Sequence, residues 1–442
     1  MFHPHDALPL PPRPNLNQYK KLAKDLLEAS RSDDPNAIGT WATDWIASLS
    51  RLSDHPAEDS ASQFSSPVIL SEVAAPRSGA DAQSKDPLPA GRSTSLKRGS
   101  LNSTSPNHCA TPLEQFAREK LSETLTLAAA QFVIARAHGF ESWPKFATHL
   151  EAIAHANSEV NHFEQAADAI VTGDATRLTR LLKQHPDLPQ ARSTRRHNAT
   201  LLHYVAANGI EDYRQQTPQN IVQITKLLLD SGADVNAIAD LYGSSTTLSL
   251  TATSIHPERA GVQDALLQLL LDHGATLNEK SPSGGIVNAC LANGRARAAE
   301  FLASRGAPLD LEAAAGLGRL DIVKTFVDKS TAPESTVIDQ KKLRGFLWAC
   351  EYGRNEVVDF LLDQGVPIQT QANTGQTALH WAIIGGHEDT VSLLLSHGAE
   401  LEAKNIYGGT ALGQAQWSAA HAGSRIDYTH IIDLLKQHGA ME

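Results

Sequence analysis

The stretch TALHWAIIGGHEDTVSLLLSHGAELEAK, residues 377–404, decides the fold. Thr377 stands where a hydroxyl can cap the helix that starts at Ala378, and that helix is barely two turns long before Gly385–Gly386 ends it. A second helix, about Glu388 to Ser396, puts Val391, Leu394 and Leu395 on one face. Gly398 then supplies the left-handed residue that stops it. Two helices this short expose an apolar face and are not stable alone. Stacked on similar neighbours, they close one continuous core.

The neighbours are present. The unit's ending recurs as LLLDSGADVN (227–236), LLLDHGATLN (269–278), FLASRGAPLD (301–310), FLLDQGVPIQ (360–369) and LLKQHGAME (434–442). Its glycines Gly232, Gly274, Gly306, Gly365, Gly398 and Gly439 follow a period of about 33 residues, lengthened in places by inserts, which is a solenoid period. These residues resemble the ankyrin repeat, whose pattern runs T-P-L-H-x-A-A, then G-H, then L-L-L-x-x-G-A. TLLHYVAANG (200–209) with ITKLLLDSGADVNA (224–237) matches nearly as well as 377–404, and weaker copies fill the interval. The resemblance implies an all-α ankyrin-repeat solenoid of about eight helix-turn-helix units over 160–442. The Pro of T-P-L-H is absent throughout, and the fifth unit, LEAAAGLGRLDIVKTFVDK (311–329), lacks its Gly-Ala ending.

A small helical module precedes the array. Leu16, Tyr19, Ala23, Leu26 and Leu27 repeat at helical spacing behind a possible Asn15 cap, and Ile38, Trp41, Trp45, Ile46 and Leu49 do so again, giving a segment over 12–50. Residues 51–112 are rich in Ser and Pro, keep no apolar period and hold one aromatic, Phe64, so they are expected to be a disordered linker. A helical hairpin over 113–156 is expected to complete the module. Leu121, Leu125, Ala128, Ala129, Phe132 and Val133 mark its first helix, and Ser142 caps its second, which turns Trp143, Phe146, Leu150 and Ile153 inward. The module looks like the helical segments that precede ankyrin arrays in some bacterial proteins, a resemblance that implies no activity.

Composition narrows the function. A formal charge of −11, most of it carried by the array, argues against nucleic acid or anionic membranes as partners and favours a neutral or basic protein. No apolar run reaches the roughly 18 residues of a membrane span, MFHPHDALPL lacks the pattern of a secretory signal, and three cysteines without a C-x-x-C pair predict a soluble, cytoplasmic protein without disulfides. The repeat explains many of the nineteen histidines. His203 and His380 occupy the T-x-L-H slot, His273, His397 and His438 precede terminal glycines, and His387 belongs to the G-H turn. No H-E-x-x-H, G-x-S-x-G or phosphate-loop string is present, and Gly316-Leu-Gly318 lacks the third glycine of a dinucleotide loop. No catalytic residue, metal site or cofactor is assigned.

Alignment of the units brings Asn208, Ser254, Asn293, Leu317, Tyr352, Ile384 and Trp417 to one position, just before the turn that ends the first helix. The family resemblance implies that this position lines the concave surface on which ankyrin proteins commonly bind partners. Tyr352 and Trp417 are the expected anchors, because amphipathic aromatics contribute heavily to interface energy. The inserts 210–220 and 255–262, with the stretch after Trp417, offer a second surface. The leading expectation is a noncatalytic scaffold that binds a protein. One alternative is an enzyme or regulatory subunit with a site between the helical module and the array, and another makes the module a cap for the first repeat.

Overall fold

In the computed structural model, the described residues are 7–11, 14–52, 106–278, 284–328, 335–421 and 426–441. The expected linker falls, from 53 to 105, outside them. Its expected ends do not: α2 runs on to Leu52, and a helix already begins at Pro106.

The chain divides into two compact units. The first opens with five helices, α1 (Leu16–Arg31), α2 (Ala37–Leu52), α3 (Pro106–Glu123), α4 (Leu127–Ala137) and α5 (Trp143–Ala154). Asn15 caps α1 by accepting from the Asn17 amide at 2.8 Å. Tyr19, Ala23 and Leu26 from α1, Trp41 and Trp45 from α2, Leu113 and Phe116 from α3, Val133 from α4 and Phe146 from α5 close a single core. Chain from both sides of the linker therefore shares one interior. The apolar face expected to run unbroken from Leu121 to Val133 is split. Thr126 starts a fresh helix by accepting from the Ala129 amide at 3.2 Å, and Leu125, in the break, is 46% exposed.

Three helix pairs follow in the same unit. These are α6 (Glu159–Thr172) with α7 (Ala175–Gln184), a 3-10 helix at Leu201–Ala206 with α8 (Ile221–Asp230), and α9 (Thr247–Thr253) with α11 (Gln263–Asp272). A short α10 (Ile255–Arg259) is inserted into the third pair. A two-residue antiparallel ladder, β1 (Ile238–Ala239) on β2 (Ser245–Thr246), forms the projecting hairpin between the second pair and the third.

The second unit holds five pairs: α12 (Ile286–Ala292) and α13 (Ala296–Ser304), α14 (Leu311–Gly316) and α15 (Leu320–Asp328), α16 (Ser335–Glu351) and α17 (Asn355–Asp363), α18 (Ala378–Gly385) and α19 (Glu388–Ser396), and α20 (Ala411–His421) and α21 (Thr429–Gln437). The core shared by the last four pairs is thin and dominated by Ala, Leu and Val, with Ala349, Leu361, Ala382, Leu394 and Leu435 in one continuous cluster. That narrow interior accounts for an aromatic content of 5%.

The 377–404 unit shows why the repeat holds its shape. Thr377 accepts from the His380 amide, and the His380 Nδ1 atom accepts from the Thr377 amide at 3.2 Å, so each residue satisfies the other's end of the helix. The second imidazole nitrogen bonds the Gly409 carbonyl of the next hairpin at 3.1 Å. The histidine thus ties one repeat to the next. Gly385 lies so close to the Glu351 carbonyl that a Cβ there would overlap it, and Gly386 adopts a left-handed φ of 73°.

Candidate partner-binding surface

The seven residues expected at one position fall into two registers. Left-handed glycines Gly294, Gly318, Gly353 and Gly386 end the first helices of four repeats, and the residues before them are Asn293, Leu317, Tyr352 and Gly385. Counting from the capping threonines Thr200, Thr246, Thr377 and Thr410 puts Asn208 and Ser254 in the same register as Gly385 and Ser418. Ile384 and Trp417 stand one residue earlier. Two adjacent glycines hide the register at Ile384, because the second of them takes the left-handed turn. At Trp417, α20 runs on to His421 without a glycine stop.

Several of these side chains serve the fold. Asn208 donates through its amide to the Leu250 carbonyl at 3.1 Å and the Thr253 hydroxyl at 3.0 Å, and accepts from the Tyr242 hydroxyl at 3.3 Å. Ser254 is 2% exposed and caps α10 by accepting from the His256 amide at 3.3 Å, so it does not face solvent as a partner-binding residue would. Asn293 donates to the Ala289 carbonyl within its own helix. The Tyr352 hydroxyl donates to the Leu291 carbonyl, and burial pushes its phenol well above the ordinary value. Leu317 and Ile384 are half-buried, and the Ile384 carbonyl accepts from the Tyr428 hydroxyl at 3.2 Å. Trp417 stays open to solvent at 44%, stacked on His421 with ring centroids 4.4 Å apart.

The hairpin tips carry surface residues that sequence comparison of the helices does not single out. Ile406 and Tyr407 are each 64% exposed, on a turn that Asn405 holds by accepting from the Tyr407 amide at 2.9 Å and the Gly409 amide at 3.0 Å. In the first unit Ile238 and Tyr242 are exposed on the β1–β2 hairpin, with Tyr242 in the left-handed region at φ 47°. Trp348 and Trp381, half-buried, occupy one register of consecutive repeats, each five residues before its left-handed glycine. Exposed apolar residues at hairpin positions are the signal that would have found the tips.

The region between the N-terminal helices and the first repeats is filled by a buried polar cluster. Arg195, in the loop before the 3-10 helix, pairs with Glu164 of α6 and bonds Glu211 at 2.9 Å. Arg214 bonds Glu164 at 2.8 Å and Asp168 at 2.6 Å, and His197 meets Glu211 at 3.2 Å. Burial alone raises both carboxyls, yet the two guanidiniums outweigh it and hold Glu164 at about 2 and Glu211 well below the usual range. The insert expected as a surface over 210–220 is therefore folded inward at Glu211 and Arg214, since a buried charge is tolerated only when paired.

Among the described residues, no group of His, Cys, Asp and Glu could hold a metal ion. Burial pushes the thiol of Cys290 up to about 12 and that of Cys350 higher still, which suits packing rather than nucleophilic attack. No described helix is long and apolar enough to cross a membrane.

Comparison with protein families agrees with this geometry. A family model for ankyrin repeats in three copies matches residues 311–405, one for many copies matches 379–435, and one for a single ankyrin repeat matches 197–240. The chain is an ankyrin-repeat protein. No curated protein matches its sequence. The ankyrin family models reach both compact units, whereas none of them reaches the N-terminal helices. Ankyrin repeats are generally protein–protein interaction modules, and their architecture is typically noncatalytic.

Proposed function

We propose that this ankyrin-repeat protein is a noncatalytic cytoplasmic scaffold that binds a protein partner through its hairpin tips and the open ends of its first helices. The observation that carries the reading is the pair Ile406 and Tyr407, two large apolar side chains exposed on a turn preorganised by Asn405. A rigid turn loses little entropy on binding, and amphipathic aromatics supply the contact energy. Trp417 on α20 adds a second exposed ring in the same unit. The net charge of −11 favours a neutral or basic protein over nucleic acid. A buried free thiol at Cys350 suits a reducing compartment.

The reading is tested by quantitative comparison of proteins retained from native lysate by the immobilised chain and by a Tyr407→Ala, Trp417→Ala variant. A set of proteins held by the first and lost by the second supports it. Identical retention by a folded variant overturns it.

A further inference from the structure

The buried cluster of the first unit does more than fill space. The loop 192–199 of the second repeat is fastened to the N-terminal helices at three points. The Arg196 amide donates to the Gly139 carbonyl at 3.0 Å, the Thr194 hydroxyl meets His149 Nδ1 at 2.7 Å, and the Arg195 guanidinium lies 5.5 Å from the Phe140 ring centroid. His149 packs on that same ring, 4.7 Å away. Deeper in the module, His138 Nδ1 bonds the Leu8 carbonyl at 2.9 Å, with its ring stacked on Phe146 and edge-on to Tyr19 and Trp45.

Both imidazoles are buried with Nε2 lacking any hydrogen-bond partner among the described residues. A carbonyl can only accept, so His138 Nδ1 carries its ring's proton and Nε2 is the bare nitrogen. A second proton there would place a cation in an aromatic pocket with no acceptor. For His149 the charged neighbours are Arg195 and Arg214, which oppose a further cation, and Glu164 and Glu211, which favour one. The two carboxylates are already committed to the two guanidiniums. Asp168 is held by Arg214 and His197 by Glu211, and Tyr213 adds to the burial that raises the Tyr19 phenol. For His138 the nearby charged or titratable groups are Arg195 and His149.

We propose that this interface is an acid-released latch: at neutral pH the N-terminal helices close over the first repeats, and protonation of His149 opens them while protonation of His138 loosens the module behind it. Burial, reinforced by Arg195, depresses His138 to about 3 and His149 to about 4, against an ordinary 6.5. Each imidazole therefore contributes stability that is complete above 6.5 and is lost as pH falls from there through its depressed value. Opening would uncover the end of the array, which a repeat protein needs covered.

The test is hydrogen exchange of the full chain at pH 7.5 and 5.0, corrected for intrinsic rates and read by mass spectrometry. Each imidazole should weaken the packing around it about 30-fold across that interval, so residues 192–199 should lose protection about 30-fold, and α4 and α5, beside both imidazoles, up to about a thousandfold. Helices α12 and α13, in the other unit and without a histidine, should not follow. A His138→Gln, His149→Gln variant should flatten the dependence. Should that variant fail to fold, His149→Gln alone should remove about 30-fold of it. Unchanged protection of the native chain at pH 5.0, or an equal acid loss in a folded variant, overturns the latch.

Discussion

Arg195 Nε donates to Glu211 Oε1 at 2.9 Å, with both side chains withdrawn from solvent. Sixteen residues separate them in the chain, and the helical turn of the second repeat lies between. Because Glu211 also receives His197 and the Tyr204 hydroxyl and lies 3.8 Å from Arg214, removing its charge leaves four donors facing an empty position. Glu211→Ala should cost about 3–5 kcal/mol, the usual penalty for breaking a buried pair from one side. Urea-dependent hydrogen exchange resolved on α6 and α8 measures it, and a cost under about 1 kcal/mol would mean that water replaces the carboxylate.

Gly385 is squeezed against the Glu351 carbonyl where α18 passes α16. Gly385→Ala should destabilise the second unit by about 1–3 kcal/mol through overpacking. The comparison is Gly398→Ala, where a Cβ meets nothing but φ is 82°. Two losses of different origin should appear, steric at 385 and conformational at 398, in thermal or urea unfolding of the second unit.

Thr377 and His380 cap their helix reciprocally. Thr377→Ala should cost about 1 kcal/mol. Replacing His380 should cost more, since its other nitrogen holds the next repeat through Gly409. Exchange protection at 405–410 should therefore fall in the histidine variant and hold in the threonine one.

Glu351, in the second unit, should answer pH in the opposite sense from His138 and His149. Burial pushes the Glu351 carboxyl up to about 8 from an ordinary 4.5. The folded state keeps a proton that the unfolded chain releases, so this contribution is present below 4.5 and lost as pH rises through about 8. Glu351→Gln should leave stability unchanged at pH 4 and raise it at pH 9 by about 1–3 kcal/mol, a range set below the full linkage value to allow for water reaching the site. Urea midpoints at the two pH values decide it.

The repeat was legible because its signals are local. A capping threonine, a helix of two turns, a left-handed glycine and a run of leucines all lie within one repeat, and each acts on the backbone beside it. The candidate surface was legible only in part, and the reason is visible at particular residues. Tyr352 looked like an anchor, but its hydroxyl is taken by the Leu291 carbonyl of another repeat. Ser254 shares its register and is buried under α10, a helix formed by the insert.

By itself the sequence determined the period, the helix pairs and a thin core short of aromatic rings, because stacking of like units follows from any one of them. Only the tertiary structure decided how the inserts and the N-terminal helices are used. Arg214 reaches Asp168 and Arg195 reaches Glu164 across intervals of 46 and 31 residues, and His149 meets Thr194 across 45. Such pairings depend on where the chain returns in space, and no local preference encodes that return.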